Sequence, residues 1–142
     1  MFLSVTPDPV LPEVLHILPK RHADARGWFS ETYNFTEFSR AGISDTFVQD
    51  NQSRSDAVGT VRGLHFQRPP HAQAKLIRCL RGRILDIAVD IRAGSPRFGR
   101  YTSVELSAAG GEQLYVPAGF AHGFCTLEDA CEVAYKVSAP YA

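Results

Sequence analysis

The stretch "RILDIAVDIR", Arg83 to Arg92, alternates apolar and polar side chains, the spacing of a β-strand whose successive residues point to opposite sides of a sheet. Leu85, Ile87, Val89 and Ile91 fall on one face, and Ile84, Asp86, Ala88 and Asp90 on the other. The first face is expected to pack in a core, leaving the second to carry two carboxylates. Outward from this strand, Pro and Gly punctuate the chain at short intervals, and the segments between them predict strands over 47–51, 61–67, 74–80, 101–106, 113–116 and 132–137. "GSPRFG" (94–99) and "SAAGGEQ" (107–113) read as turns. Only "NFTEFSRAG" has helical punctuation, with Asn34 as N-cap, Glu37 three residues on and Gly42 as terminator. Many short strands and one short helix predict an all-β sandwich or barrel of jelly-roll type. The 142 residues suit a single domain, 1–142, with one core.

Fifteen basic and fifteen acidic side chains cancel, so no long-range field favours nucleic acid or an anionic membrane as partner. No apolar run approaches the roughly 20 residues needed to cross a bilayer. The start, "MFLSVTPDPVLPEV", lacks the basic region and unbroken apolar stretch of a signal peptide, and a cytoplasmic location is expected. Cys79, Cys125 and Cys131 form no zinc spacing, and an odd number makes a poor disulfide framework; reduced, mostly buried thiols are expected.

Strand parity aims the histidines. In "VRGLHFQ", Val61, Gly63, His65 and Gln67 share one face and Arg62, Leu64 and Phe66 the other. In "GEQLYVPAGFAHGF", Gly111, Pro117, Gly119 and His122 are spaced as in the second motif of the cupin superfamily. Gly59 and His65 resemble the start of that superfamily's first motif, which metal-binding cupins complete with a second histidine and a glutamate. Here Gln67 and then "RPPHAQ" follow. Two histidines leave a divalent ion short of the usual three protein ligands, so no metal is expected. His65 is then free for acid–base work, to which an imidazole with an ordinary pKa of about 6.5 is suited. A structural core histidine is the plainer alternative, but Arg62, Gln67, Lys75, Arg78, Asp86 and Tyr135 all fall on predicted strands of the same small fold, more polar groups than a core without a site would hold.

Six segments, "ARGWFSETYN", "FVQDNQSRS", "GTVRGLHFQ", "AQAKLIRC", "DIAVDIRAGSPRFG" and "LYVPAGFAHGF", together resemble the dTDP-4-dehydrorhamnose 3,5-epimerase family, cofactor-free sugar-nucleotide epimerases of the cupin fold. The resemblance runs from about Pro19 to Lys136. It implies a dTDP-4-keto-6-deoxyhexose as substrate, with His65 as general base, Tyr135 as acid and Lys75 steadying the developing oxyanion. Asp86 is assigned a base-orienting role. The resemblance places Arg62 and His122 against sugar or phosphate, and Arg26, Phe29, Glu31, Gln49 and Asn51 against the base and diphosphate. It further implies a homodimer in which an N-terminal strand is lent to the partner.

Family members continue beyond this sequence's last strand, with a Trp-x-Asp segment whose aspartate pairs with the catalytic histidine, whereas here the sequence ends in "YKVSAPYA". A nucleotide-sugar-binding cupin with little or no turnover is therefore the alternative function, and a metal-dependent cupin oxygenase or isomerase a more distant one.

Overall fold

A computed structural model describes residues 3–142. The strands in chain order are β1 (Leu3–Pro7), β2 (Leu15–Pro19), β3 (His22–Asp24), β4 (Gly27–Phe29), β5 (Gln49–Ser55), β6 (Val61–His65), β7 (Lys75–Arg81), β8 (Arg83–Asp90), β9 (Tyr101–Ser107), β10 (Gln113–Val116), β11 (Phe120–Thr126) and β12 (Cys131–Val137). Among the described residues one short helix, α1 (Phe35–Arg40), precedes β5; Asn34 caps it by accepting from the Glu37 N–H, and Gly42 follows with a positive φ of 98°. The jelly roll consists of a six-stranded sheet, β1-β2-β10-β7-β12-β5, facing a four-stranded sheet, β6-β11-β8-β9, with β3 and β4 paired as a separate hairpin. The all-β architecture matches the expectation. The two sheets, however, do not share one hydrogen-bonded ladder and so form an open sandwich rather than a closed barrel.

β8 has the expected period with its faces reversed. Ile84, Asp86, Ala88 and Asp90 are wholly buried between the sheets, and Leu85, Ile87 and Val89 are only half-buried on the outer face. The reversal has a physical basis: a buried carboxylate is tolerated where a donor meets it, and here both find one. The Asp86 carboxylate meets His122. Asp90 accepts from the Arg92 backbone and guanidinium and from Ser95 Oγ at 2.6 Å. Arg92 in turn reaches Glu13 at 2.6 Å and lies 4.8 Å over the Phe120 ring, tying the β1–β2 connection to the 91–100 turn.

The inner faces bury Ile77, Cys79, Leu106, Leu114, Val116, Phe124 and Val133 with Ile84 and Ala88. A second cluster lies outside the six-stranded sheet, where Phe38 of α1 and Ile43 cover Ile17, Leu76 and Tyr115. The Tyr115 hydroxyl donates to Asp45, which fixes this cover to β10. All three cysteines are free, and burial pushes the Cys79 thiol up to about 11, leaving it protonated and inert. Among the described residues no helix is long and apolar enough to cross a membrane.

The hydrogen bonds from Arg92 and Ser95 hold the Asp90 carboxyl well below its usual range, against a smaller opposing effect of burial. A depressed folded-state pKa gives stability that is full above the unfolded value of about 3.9 and is lost as pH falls through the folded value. Asp90→Asn should therefore destabilise the chain by about 2 kcal/mol at pH 7, the worth of charge-assisted bonds to a buried carboxylate. The gap from the unaltered chain should narrow below about pH 4. Urea unfolding at pH 7 and pH 3 measures both.

Candidate active site

β5 and β6 are edge strands of the two facing sheets, and a chamber opens between them. Its inner part, about 350 Å³, is lined by Arg62, His65, Lys75, His122 and Tyr135 among others. A contiguous outer part of about 390 Å³ shares His65, Lys75 and Tyr135 and adds Asn51, Gln67, Gln73 and Tyr141.

Each of these side chains is aimed by strand register. Tyr135 of β12 pairs with Asn51 of β5 on one side and Ile77 of β7 on the other, which places it on the inner face with the core residue Ile77. Lys75 pairs with Val116 and Val137, both buried. On the opposite wall, His65 of β6 faces His122 of β11, and His122 pairs with Ala88 of β8. His65 and Tyr135 therefore approach the chamber from different sheets.

Simple alternation puts Arg62 and His65 on opposite faces. The structure puts both inside. His122 and Phe124, two residues apart, face His65 and Arg62, three apart, so β6 carries one extra residue as a bulge. Gly63 lies in it at φ +100°, where a Cβ would meet the His122 carbonyl oxygen at 2.7 Å and Gly123 Cα at 2.9 Å. Only glycine admits both that conformation and that approach.

The Asp86 assignment also changes. Its Oδ1 lies 2.6 Å from His122 Nε2, and its Oδ2 is buried with no hydrogen-bond partner among the described residues. Asp86 thus orients His122 and not His65. Lys75 is buried; desolvation lowers its pKa, and the charge of Asp86 partly opposes this. Its ammonium lies 5.8 Å from the Tyr135 ring centre. Arg62 donates from Nε to Ser55 Oγ and from Nη2 to the Arg54 carbonyl, each at 3.0 Å.

The residues expected to hold a nucleotide divide in two. Gln49 and Asn51 lie on the inner face of β5, joined by a 2.9 Å side-chain hydrogen bond. Arg26, Phe29 and Glu31 do not line the chamber. Arg26 extends into solvent and pairs with Asp24 at 2.7 Å, Phe29 is 67% exposed, and Glu31 accepts from Asn34. Residues absent from the sequence reading also line the site. Ser53 belongs to the inner part. Tyr141 borders the outer part, where the 139–142 segment is held by Gln49, Gln67 and Gln73. The signal for Ser53 was the polar inward parity of "QDNQSRS"; Tyr141 had no local signal.

The sequence profile of the dTDP-4-dehydrorhamnose 3,5-epimerase family matches residues 9–142. The chain belongs to this family. It is 53% identical over 133 residues to the dTDP-4-dehydrorhamnose 3,5-epimerase of Sinorhizobium fredii, covering 93% of this chain and 68% of that protein. The Bacillus anthracis dTDP-4-dehydrorhamnose 3,5-epimerase, crystallised with TDP and PPi, superposes with a TM-score of 0.95 at 44% identity, over 99% of this chain and 79% of that one. The Legionella pneumophila dTDP-6-deoxy-D-glucose-3,5-epimerase in complex with dTDP-4-keto-L-rhamnose gives 0.93 at 41% identity, covering 99% of this chain and 73% of that one. The facing sheets of this chain therefore follow the cupin-like jelly-roll fold of these epimerases.

Gly63→Ala should dislodge the bulge that brings Arg62 and His65 together. The expected result is loss of at least tenfold in dTDP affinity, the scale of about 1.4 kcal/mol for a misplaced charged contact, with a cooperative fold retained. Calorimetric titration with dTDP, alongside thermal unfolding, reads the two effects separately.

Proposed function

We propose that this chain epimerises a dTDP-4-keto-6-deoxyhexose at C3 and C5 without a redox cofactor. The observation that carries the reading is the placement of an imidazole, His65, and a phenol, Tyr135, on facing walls of one chamber, with the buried ammonium of Lys75 between the two sheets. Inversion at carbon requires this arrangement, because the proton leaves one face and another returns to the opposite face.

The ketone at C4 acidifies the hydrogens at C3 and C5. His65 removes one of them as general base, and the electron pair passes into an enolate whose oxygen becomes anionic. The Lys75 ammonium meets that charge in a site largely screened from water, where it is worth more than in solution. The Tyr135 hydroxyl then gives its proton to the carbanionic carbon from the other side, restoring the ketone. Proton exchange with solvent resets His65 and Tyr135, and the second centre follows by the same steps. His122, fixed by Asp86 through Nε2, lines the chamber beside His65 and offers Nδ1 as an acceptor to a sugar hydroxyl.

The diphosphate is assigned to Arg62, and the nucleoside to Gln49 and Asn51. Arg26, Phe29 and Glu31 serve the site of a second copy of the chain. Support comes from three features. The β3–β4 hairpin is exposed along its length, with Trp28 at 56%. β5 offers a free sheet edge beside the chamber. The outer face of the four-stranded sheet is apolar, with Val61 69% exposed in register with Cys125 and Leu85, a surface suited to an interface between copies. The proposed reading sets this chemistry in the cytoplasm.

In deuterated buffer, the C3 and C5 proton signals of dTDP-4-keto-6-deoxyglucose should disappear in the presence of the chain. His65→Ala should abolish that loss while dTDP binding stays within about tenfold, or 1.4 kcal/mol. Binding without exchange by the unaltered chain would instead select the nucleotide-sugar-binding alternative.

The shared site has its own test. Neither Arg26→Ala nor His65→Ala alone should turn over. An equimolar mixture, after subunit exchange, should recover about a quarter of the unaltered activity, because half of the dimers are mixed and each of these holds one intact site. No recovery would remove Arg26 from the partner's site.

A further inference from the structure

The inner face of β5 presents Gln49, Asn51, Ser53 and Ser55 opposite Val137, Tyr135, Val133 and Cys131 of β12. The two serines differ. Ser55 receives Arg62 Nε at 3.0 Å. Ser53 lines the inner chamber, yet its hydroxyl is shielded from solvent and has no hydrogen-bond partner among the described residues. Buried hydroxyls are normally paired, since desolvation leaves their donor and acceptor uncompensated. Alanine would occupy the same space without that cost, so packing alone gives no reason for a hydroxyl there.

Its position along the strand says what it can meet. Lys75 is in register with Val137 and Gln49, four residues from the Val133–Ser53 pair, or roughly 13 Å along the sheet at about 3.3 Å per residue. Ser53 therefore belongs to the end of the chamber occupied by Arg62, and Lys75 enters from the other. Arg62 commits two N–H groups to Ser55 and the Arg54 carbonyl. These contacts brace its guanidinium from behind and leave the rest of its fork for a ligand. An unpaired O–H beside a braced guanidinium is a donor pair, and donor pairs suit an oxyanion that offers only acceptors.

Resting on the epimerase reading above, we propose that the Ser53 hydroxyl and the Arg62 guanidinium together hold the phosphoryl group attached to the anomeric carbon of the substrate. Ser53 is a substrate-binding residue that sets the depth to which the sugar enters, and the reacting carbons lie beyond it toward Tyr135 and Lys75. Such a contact is the same in ground state and transition state, so its loss weakens binding and leaves the chemical step alone.

The test is Ser53→Ala in the full chain, read by calorimetric titration with dTDP and by steady-state turnover of dTDP-4-keto-6-deoxyglucose. The expected result is dTDP affinity lower by about tenfold, as for a hydrogen bond to a charged group, a KM raised by a similar factor, and kcat within about twofold. Thermal unfolding should be unchanged or slightly improved, since an unpaired buried hydroxyl has been removed. Undiminished dTDP affinity in the variant overturns the proposal. So does a fall in kcat with dTDP affinity intact, which would assign the hydroxyl to the ketone oxygen. Failure of the unaltered chain to bind dTDP overturns the epimerase reading and this site with it, and is distinguished by being seen before any substitution.

Discussion

Two carboxylates on the buried face of one strand organise this molecule. Asp86 and Asp90 of β8 are wholly enclosed between the sheets, where a charge without a partner is costly. Each has obtained one from a different part of the chain. Asp90 takes Arg92 and Ser95 from the turn that follows it, and Arg92 extends the pairing to Glu13. Asp86 takes His122 from β11. The first pairing closes the sandwich at the 91–100 turn; the second fixes a histidine in the chamber wall directly across from His65. Structure and site thus draw on the same strand, four residues apart.

Because β8 turns its carboxylates inward, its outer face is left with Leu85, Ile87 and Val89 half-covered. The same constraint explains why alternation located this strand but misassigned its faces. Hydrophobic periodicity identifies two faces without saying which is inside, and the usual tie-break, that charges face water, fails where charges are paired. β5 shows the converse. "QDNQSRS" has no apolar residue at all, so the alternation that predicts a strand over 47–51 does not carry it on to Ser55. It forms at 49–55 because its inward side chains line a polar chamber and its outward ones pair across the surface, as Arg54 does with Glu132. β11 was not expected, since nearly every residue is buried between β6 and β8 and no alternation survives. β1 to β4 are likewise absent from the predicted strands, whereas β6 to β10, β12, the helix and the two turns lie where local propensity and tertiary packing agree.

The site was legible at the level of residue type and only partly in its geometry. His65, Lys75, Tyr135, His122 and Arg62 do meet. What the sequence could not convey was the bulge at Gly63, because one extra residue in β6 is invisible to a count of alternating positions. Nor could it convey which histidine Asp86 would reach, since two histidines face each other across one strand pair and the choice depends on side-chain direction. Arg26 and Phe29 stand apart from the chamber because they belong to a hairpin whose strands pair only with each other, and Glu31 follows just beyond it.

The chamber itself follows from where the sandwich leaves its edges. Edge strands expose unpaired backbone groups and invite another chain, and here β5 and β6, one from each sheet, flank a single opening. All five residues of β6 are exposed, His65 among them, whereas Lys75 and His122 behind it are buried. An imidazole at the rim and a lysine at depth suit a ligand whose charged portion is long and whose enclosed portion is small. On the epimerase reading proposed above, the sugar ketone meets Lys75, the diphosphate lies at Arg62 in the inner part of the chamber, and the nucleoside extends toward Gln49 and Asn51 on β5. The proposed reading gives the far end of the ligand to the exposed hairpin of a second copy, where Phe29 and Arg26 carry the aromatic and cationic side chains such a contact needs.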